Sequence, residues 1–173
     1  MLPGNPASSY WQNVSGQCKR DIKTMKRIVL ISCVSKKGNK KAKAKDLYKC
    51  PLFTNSLAYG KKLNPDKIFI LSALHHLIDL EQELEPYDVT LSYVPPAKRN
   101  PKLKVLTKKE AELWGQKVLQ QLENIADLKN DEFIILAGQS YIKPIVKGIT
   151  NIKEPLKGLK QGERVKFLIN KLS

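Results

Sequence analysis

Arg27-Ile28-Val29-Leu30-Ile31-Ser32-Cys33 (RIVLISC) is the segment that most strongly constrains the architecture of this chain. It is a continuous apolar run, rich in β-branched residues, which is typical of a strand buried on both faces of a parallel sheet. Two similar runs follow at residues 67–72 and 132–137. Strands of this kind that alternate with helices predict an α/β protein, a three-layer sandwich around a mostly parallel central sheet.

The segments between these runs predict the helices. Pro51 suits the first turn of a helix over residues 51–63. Thr107 and Glu110 have the spacing of a capping box, and the helix they begin has an apolar face. That face comprises Ala111, Trp114, Val118, Leu122 and Ile125. Further helical segments are expected over residues 74–84 (at least in part), 142–149 and 161–171, with a short strand near residue 152.

Length and composition predict one domain. The chain has 173 residues, enough for a single core. We expect a flexible N-terminal extension over residues 1–24 and one α/β domain over residues 25–173. No apolar run approaches the roughly 18 residues that span a bilayer, and no secretory signal is apparent. The expected location is therefore cytoplasmic, without a membrane partner.

The cysteine pattern argues against a metal site. Cys18, Cys33 and Cys50 are odd in number and lack zinc-type spacing, so we expect neither a disulfide framework nor a bound metal. Neither a P-loop nor a GxGxxG motif is present, and no cofactor is expected. Nothing in the sequence indicates the oligomeric state.

Charge is the strongest compositional signal. The chain has 31 Lys and Arg against 16 Asp and Glu, a formal net charge of +15. Such an excess attracts polyanions, which predicts a nucleic-acid partner, with DNA the expected one. A soluble protein that is merely basic is the alternative. The predicted contacts lie in two lysine-rich loops: Lys37, Lys40, Lys41, Lys43 and Lys45 in one, and Lys98 and Arg99 in the other.

In open parallel sheets, ligands bind beyond the carboxyl ends of the strands. This rule brings together residues 33–37, 72–76 and 138–141. Cys33, Ser35 and Lys36 offer a thiol, a hydroxyl and an ammonium group that could hold a phosphate, although a buried inert thiol is the simpler interpretation of Cys33. Ser72 ends the second strand. The residues after the third strand are Gly138, which lets a ligand approach the backbone, Gln139, which could read a base edge, and Tyr141, which could stack on a base. A plain turn with Tyr141 in the core is the alternative.

Two residues are candidates for proton transfer. His75 follows a strand end, and histidine titrates near neutral pH. Asp88 suits a general base, or an anion that stabilises a cationic transition state, and the neighbouring Tyr87 offers a stacking face. The alternatives are local packing for the histidine and an Asx turn for Asp88.

Taken together, these segments resemble a known family. The matching motifs are Cys33-x-Ser35-Lys36, Ala44-x-Asp46-Leu47-Tyr48-x-x-Pro51-Leu52-Phe53, Ser72-Ala73-x-His75-x-Leu77, Glu85-Pro86-Tyr87-Asp88-x-Thr90-Leu91, Leu136-Ala137-Gly138-x-x-Tyr141 and Pro155-Leu156-x-Gly158-Leu159. They are similar to a family of small bacterial, archaeal and phage proteins related to the uracil-DNA-glycosylase-like domain of archaeosine synthase. The sequence departs from that pattern at His76 and Lys160, where the family usually has glycine.

The resemblance implies a uracil-DNA-glycosylase-like fold and an enzyme that excises a modified or damaged base from DNA, with antiviral defence as one role for such an activity. The water-activating Gly-Gln-Asp-Pro-Tyr motif of ordinary uracil-DNA glycosylases is missing after the first strand, so Asp88 is the catalytic candidate, with His75 supporting the departing base. Two alternatives stay open. One is a binding module without catalysis, and the other is a hydrolase or deoxyribosyltransferase acting on free nucleosides or nucleotides.

Overall fold

The computed structural model describes residues 23–173, so the predicted extension lies almost wholly outside the described residues, together with Cys18. The strands are β1 (Arg27–Ser32), β2 (Ala42–Lys43), β3 (Lys67–Ser72), β4 (His76–Asp79), β5 (Glu83–Leu84), β6 (Val89–Thr90), β7 (Lys104–Val105), β8 (Glu132–Leu136) and β9 (Ile152–Lys153). The helices are α1 (Ala44–Leu47), α2 (Pro51–Lys62), α3 (Lys108–Glu123), α4 (Gln139–Ile142) and α5 (Gln161–Leu172).

The central sheet has five strands in the order β4-β3-β1-β8-β9. Strand β1 pairs in parallel with both β3 and β8, and β8 pairs in parallel with β9. The edge strand β4 runs antiparallel to its neighbour β3. The prediction of an α/β protein with a mostly parallel central sheet is therefore confirmed.

The apolar run at residues 27–33 forms the centre of the core. Ile28, Val29, Leu30 and Ile31 are each at most 1% exposed, which shows that both faces of β1 are covered. On one face, Gly60 of α2 lies so close to Val29 that an added Cβ would be 3.0 Å from the Val29 side chain. Helix α2 also packs against α5. This arrangement is compatible with an α/β sandwich.

Helix α3 begins as its capping box predicts. Thr107 Oγ1 accepts from the Glu110 backbone N–H, and the Glu110 carboxylate accepts from the Thr107 backbone N–H. Trp114, Val118 and Leu122 are buried, but the helix ends at Glu123. The prediction that Ile125 belongs to the apolar face of this helix was wrong, because Ile125 lies beyond the end of the helix and is 38% exposed.

Two predicted helices are corrected by the structure. Residues 76–79 form a strand because Leu77 and Ile78 pair with Leu71 and Ile70 at the open edge of the sheet. The predicted helix over 142–149 is instead the short α4 followed by a single 3₁₀ turn at Val146–Gly148. Pro144 explains the interruption, since it has no N–H to donate to the preceding turn.

The two segments predicted to be irregular contain short pairings. Strand β2 pairs antiparallel with β5, and β6 pairs in parallel with β7. The first pairing joins residues 42–43 to residues 83–84, and the second closes the segment over residues 85–106 on itself. No helix in residues 23–173 combines the length and the apolar character that crossing a bilayer requires.

Candidate active site at the carboxyl edge of the sheet

A chain of buried hydroxyl groups begins at Ser72, the last residue of β3. Tyr87 OH lies 2.7 Å from Ser72 Oγ and 2.6 Å from Tyr48 OH. Ser72 Oγ also accepts from the His75 backbone N–H at 3.0 Å, and Trp114 Nε1 donates to the Ser72 carbonyl at 2.8 Å. The chain of hydroxyls therefore fixes the Tyr87 ring and the turn that presents His75.

A second buried pair lies at the ends of β1 and β8. Cys33 Sγ is 3.2 Å from Tyr141 OH. The Tyr141 hydroxyl also lies against the Thr90 side chain and the Leu91 backbone, at the end of β6. Burial raises the pKa values of Tyr48, Tyr87 and Tyr141, so all three phenols remain protonated in the physiological range.

Two ionisable side chains contact the Tyr87 ring, and a third, Asp88, acts on one of them. The His75 ring meets the Tyr87 ring edge-on, with centroids 5.2 Å apart. Lys37 Nζ lies 4.3 Å from the centroid of the same ring and donates to the Val34 carbonyl at 3.0 Å. Asp88 is exposed, next in sequence to Tyr87, and its negative charge acts on the Lys37 ammonium. The structure thus gathers His75, Lys37 and Asp88 at one place.

Burial shifts the pKa values of His75 and Lys37. Desolvation lowers the pKa of His75, so the imidazole is neutral at pH 7 and can donate one hydrogen bond without carrying charge. Desolvation also lowers the pKa of Lys37, and the negative charge of Asp88 opposes that shift. A neutral imidazole that can donate a hydrogen bond is suited to stabilising a leaving group in hydrolytic chemistry.

The chain matches a family model over residues 28–170, which is nearly the whole described domain. The model describes DUF6884, a family of unknown function. The chain belongs to the DUF6884 family. No curated protein shows significant sequence similarity to it.

Some predicted substrate-binding residues of this DUF6884 protein are occupied by other parts of the chain. Tyr141 is only 4% exposed and its ring meets Trp114 edge-on, so it presents no free stacking face. Gln139 Nε2 donates to Glu154 Oε1 at 3.0 Å. Gly138 makes room for Arg164, whose guanidinium nitrogen would lie 3.2 Å from an added Cβ. By contrast, Ser35 and Lys36 are exposed.

Arg164 is a site residue that sequence reasoning missed. It belongs to the first turn of α5, and its Nε donates to the Leu159 carbonyl at 2.9 Å. Within residues 23–173 its guanidinium forms no salt bridge. A half-buried guanidinium beside the carboxyl end of β8 is suited to an anionic ligand. No local sequence signal pointed to it, since the contact spans 26 positions between Gly138 and Arg164.

The backbone at position 76 adopts an unusual conformation. His76 has φ of 65°, in the left-handed region that glycine adopts without strain. A glycine at this position in the turn between β3 and β4 would be free of strain, and His76 adopts the same backbone at a cost of about 1–2 kcal/mol.

A surface cavity of about 330 Å³ adjoins the cluster on its α3 side. Its walls include Ala73, Leu74, His76, Val89 and Trp114, whereas His75, Tyr87 and Asp88 do not line it. The size lies at the lower end of the range for small-molecule sites. No group of three or more His, Cys, Asp or Glu residues able to hold a metal ion occurs in the described part of the chain.

The predicted nucleic-acid contacts in the first lysine-rich loop fall into two classes. Lys41 pairs with Glu83, and both Lys43 and Lys45 pair with Glu81, so their charges are partly neutralised within the protein. Lys40 is exposed, as is Lys36, and neither forms a salt bridge with any residue in 23–173. Lys37 belongs to the site cluster rather than to the surface.

The hydroxyl chain makes a stability prediction. Replacing Tyr87 with phenylalanine leaves the buried hydroxyls of Ser72 and Tyr48 each without one partner, and we expect a decrease of about 1–3 kcal/mol in unfolding free energy. Urea denaturation measures it. Replacing Tyr93, which is 73% exposed, with phenylalanine is the control and leaves the midpoint unchanged. Equal midpoints for both variants would show that the chain of hydroxyls contributes nothing to stability.

Proposed function

We propose that this protein excises a modified or damaged base from DNA by hydrolysing the N-glycosidic bond, in a uracil-DNA-glycosylase-like fold. The observation that supports this most is that His75 and Lys37 contact the Tyr87 ring at the carboxyl edge of the sheet, where the charge of the neighbouring Asp88 acts on Lys37. The net charge of +15 supplies the attraction for a polyanion.

The proposed reaction needs few groups. The C1′–N bond of the target nucleotide breaks, and a water oxygen bonds to C1′. Asp88 stabilises the positive charge that develops on the sugar and takes the proton of the attacking water. Neutral His75 donates a hydrogen bond to the departing base, which receives the proton in the end. The products are a free base and an abasic site.

The substrate must leave the base stack to reach this site, at a cost of a few kcal/mol. The cavity beside the Ser72–His76 turn has the volume for an extruded base, and its walls contain His76 and Val89, the sequence neighbours of His75 and Asp88. Phosphate contacts are suited to three cations that form no salt bridge within residues 23–173: the exposed Lys36 and Lys40, and the half-buried Arg164. A modified base in phage DNA would give the activity a defensive role.

Synthetic oligonucleotides that each contain one modified base provide the test. Incubation with the protein, followed by alkali and heat, cleaves the strand wherever an abasic site has formed. Strand cleavage at the modified position supports the proposal. A protein that binds these oligonucleotides and yields no abasic site from any of them would contradict it.

A binding module without catalysis is the second candidate. The hydrogen bonds that join Cys33 to Tyr141 and Tyr87 to Ser72 close the interior of the site, and this favours recognition at the rim over chemistry within a deep pocket. It predicts salt-dependent DNA binding with no released base.

Both candidates make one shared prediction about charge. We expect the double replacement of Lys36 and Lys40 with alanine to make DNA binding less sensitive to salt. The slope of log K against log salt should become shallower by about 1.8, since each phosphate that a lysine no longer neutralises contributes about 0.9. Replacing Lys43 and Lys45 lowers it less, since both already pair with Glu81. Fluorescence anisotropy over a salt series measures the slopes. An equal change of slope in the two double variants would show that pairing with Glu81 does not reduce the contribution of Lys43 and Lys45 to DNA binding.

A further inference from the structure

The segment between β6 and β7 presents an exposed aromatic residue. Tyr93 is 73% exposed, more than any other large hydrophobic side chain in residues 23–173. The guanidinium carbon of Arg99 lies 6.0 Å from the centroid of its ring. A tyrosine left in water beside a cation offers a flat surface for another planar group.

The conformation around this pair is fixed by local hydrogen bonds. Arg99 Nε donates to the Val94 carbonyl at 2.7 Å, which holds the guanidinium beside the ring. Pro95 and Pro96 restrict the backbone, and the Arg99 N–H closes a 3₁₀ turn by donating to the Pro96 carbonyl at 3.2 Å. The terminal nitrogens of Arg99 form no hydrogen bond within the described chain and are available to an external acceptor.

Charge identifies the class of acceptor. From residue 89 to residue 109 the sequence contains no Asp or Glu and six cations: Lys98, Arg99, Lys102, Lys104, Lys108 and Lys109. Only Lys104 forms a salt bridge within residues 23–173, with Glu110 at 2.8 Å. A basic loop of this kind attracts phosphates, while an exposed aromatic ring stacks on bases.

We propose that Tyr93 and Arg99 form a binding site for one unpaired nucleotide of a single-stranded nucleic acid. The base stacks on the open face of the Tyr93 ring, and the terminal nitrogens of Arg99 hold the adjacent phosphate. A base in a duplex is already stacked on both faces, so this site selects single-stranded over double-stranded DNA.

The location connects this site with the candidate active site. The end of β6, at Thr90 and Leu91, contacts the Tyr141 hydroxyl. Tyr93 follows Thr90 by three positions, which places the two Cα atoms within about 11 Å of each other. The nucleotide held by Tyr93 is therefore a close neighbour of the nucleotide being processed. In this respect the inference rests on the proposed function and deepens it by naming the strand form.

Binding of a fluorescent single-stranded oligothymidine, compared with its duplex, tests the inference by anisotropy. We expect Tyr93→Ala to weaken binding of the single strand about 5- to 150-fold, the range for one stacked base. Tyr93→Phe keeps the ring and binds within about twofold of the wild type. Arg99→Ala lowers the salt slope by about 0.7, the value for one phosphate on a single strand. Binding of the duplex changes little in Tyr93→Ala.

Three results would overturn the inference: no binding of the single strand by the wild type, equal binding by wild type and Tyr93→Ala, or an equal decrease for single strand and duplex. The assay requires no catalysis. If Tyr93→Ala bound the single strand more weakly than the wild type did, and the wild type released no base, the nucleotide site would stand and the proposed function would be rejected. If the wild type released base and Tyr93→Ala bound the single strand as tightly as the wild type, the proposed function would stand and the nucleotide site would be rejected.

Discussion

Replacing Asp88 with asparagine lowers the rate of base release by about 10²- to 10⁴-fold, the range for removal of one acid–base group. The amide keeps the size of the side chain but neither accepts a proton nor stabilises a cationic sugar. Asp88 is exposed, so the substitution leaves the core intact. Single-turnover release of base with the protein in excess measures the rate.

The matched control for this variant is Glu85→Gln. Glu85 is also exposed, lies three positions before Asp88, and its replacement changes the net charge by the same amount. We expect Glu85→Gln to release base at close to the wild-type rate. If Asp88→Asn retained the wild-type rate, or if both variants were slowed equally, Asp88 would have no catalytic role.

Gly115→Ala in α3 is expected to destabilise the protein strongly. A Cβ on Gly115 would lie 2.4 Å from the Pro144 carbonyl oxygen and 2.6 Å from Pro144 Cβ, so α3 and the segment after α4 must separate. Overpacking of this kind costs about 1–3 kcal/mol. The separation also moves the segment that contains Tyr141, which loosens its hydrogen bond with Cys33.

A second glycine provides the control. Gly162 lies in α5, and an added Cβ there meets nothing within 4 Å. Gly162→Ala is therefore expected to stabilise the protein by up to about 0.5 kcal/mol, less than the gain of about 0.5–1 kcal/mol in a helix interior, because Gly162 is the second residue of α5. Urea midpoints of the two variants should move in opposite directions from the wild type. A shift of the same sign in both would refute the close packing of α3 on Pro144.

The central sheet was predictable because its strands are buried on both faces. The runs at β1, β3 and β8 are continuous and apolar, and such runs have few other interpretations in a chain with helical segments between them. The edge strand β4 was not predictable. Its four residues, His76–Asp79, are too few to show a period, and their conformation depends on pairing with β3.

The candidate site was predictable only in part. The topological rule for parallel sheets brought Cys33, Ser72 and Tyr141 to one edge, where the structure places them. The contact between Lys37 and Tyr87 spans 50 positions and depends on how two irregular segments fold onto the sheet. The pairing of Lys43 and Lys45 with Glu81 is equally nonlocal, so composition alone overstated the free positive charge of that loop.

Mass spectrometry of the small molecules released from modified DNA is the decisive experiment for base excision. Wild-type protein is incubated with DNA from phages whose bases carry natural modifications, and free bases and abasic sites are counted in the same sample. The proposed function predicts one free modified base for every abasic site, and neither product from the unmodified DNA. Tight, salt-sensitive retention of the modified DNA with every base still attached would contradict it.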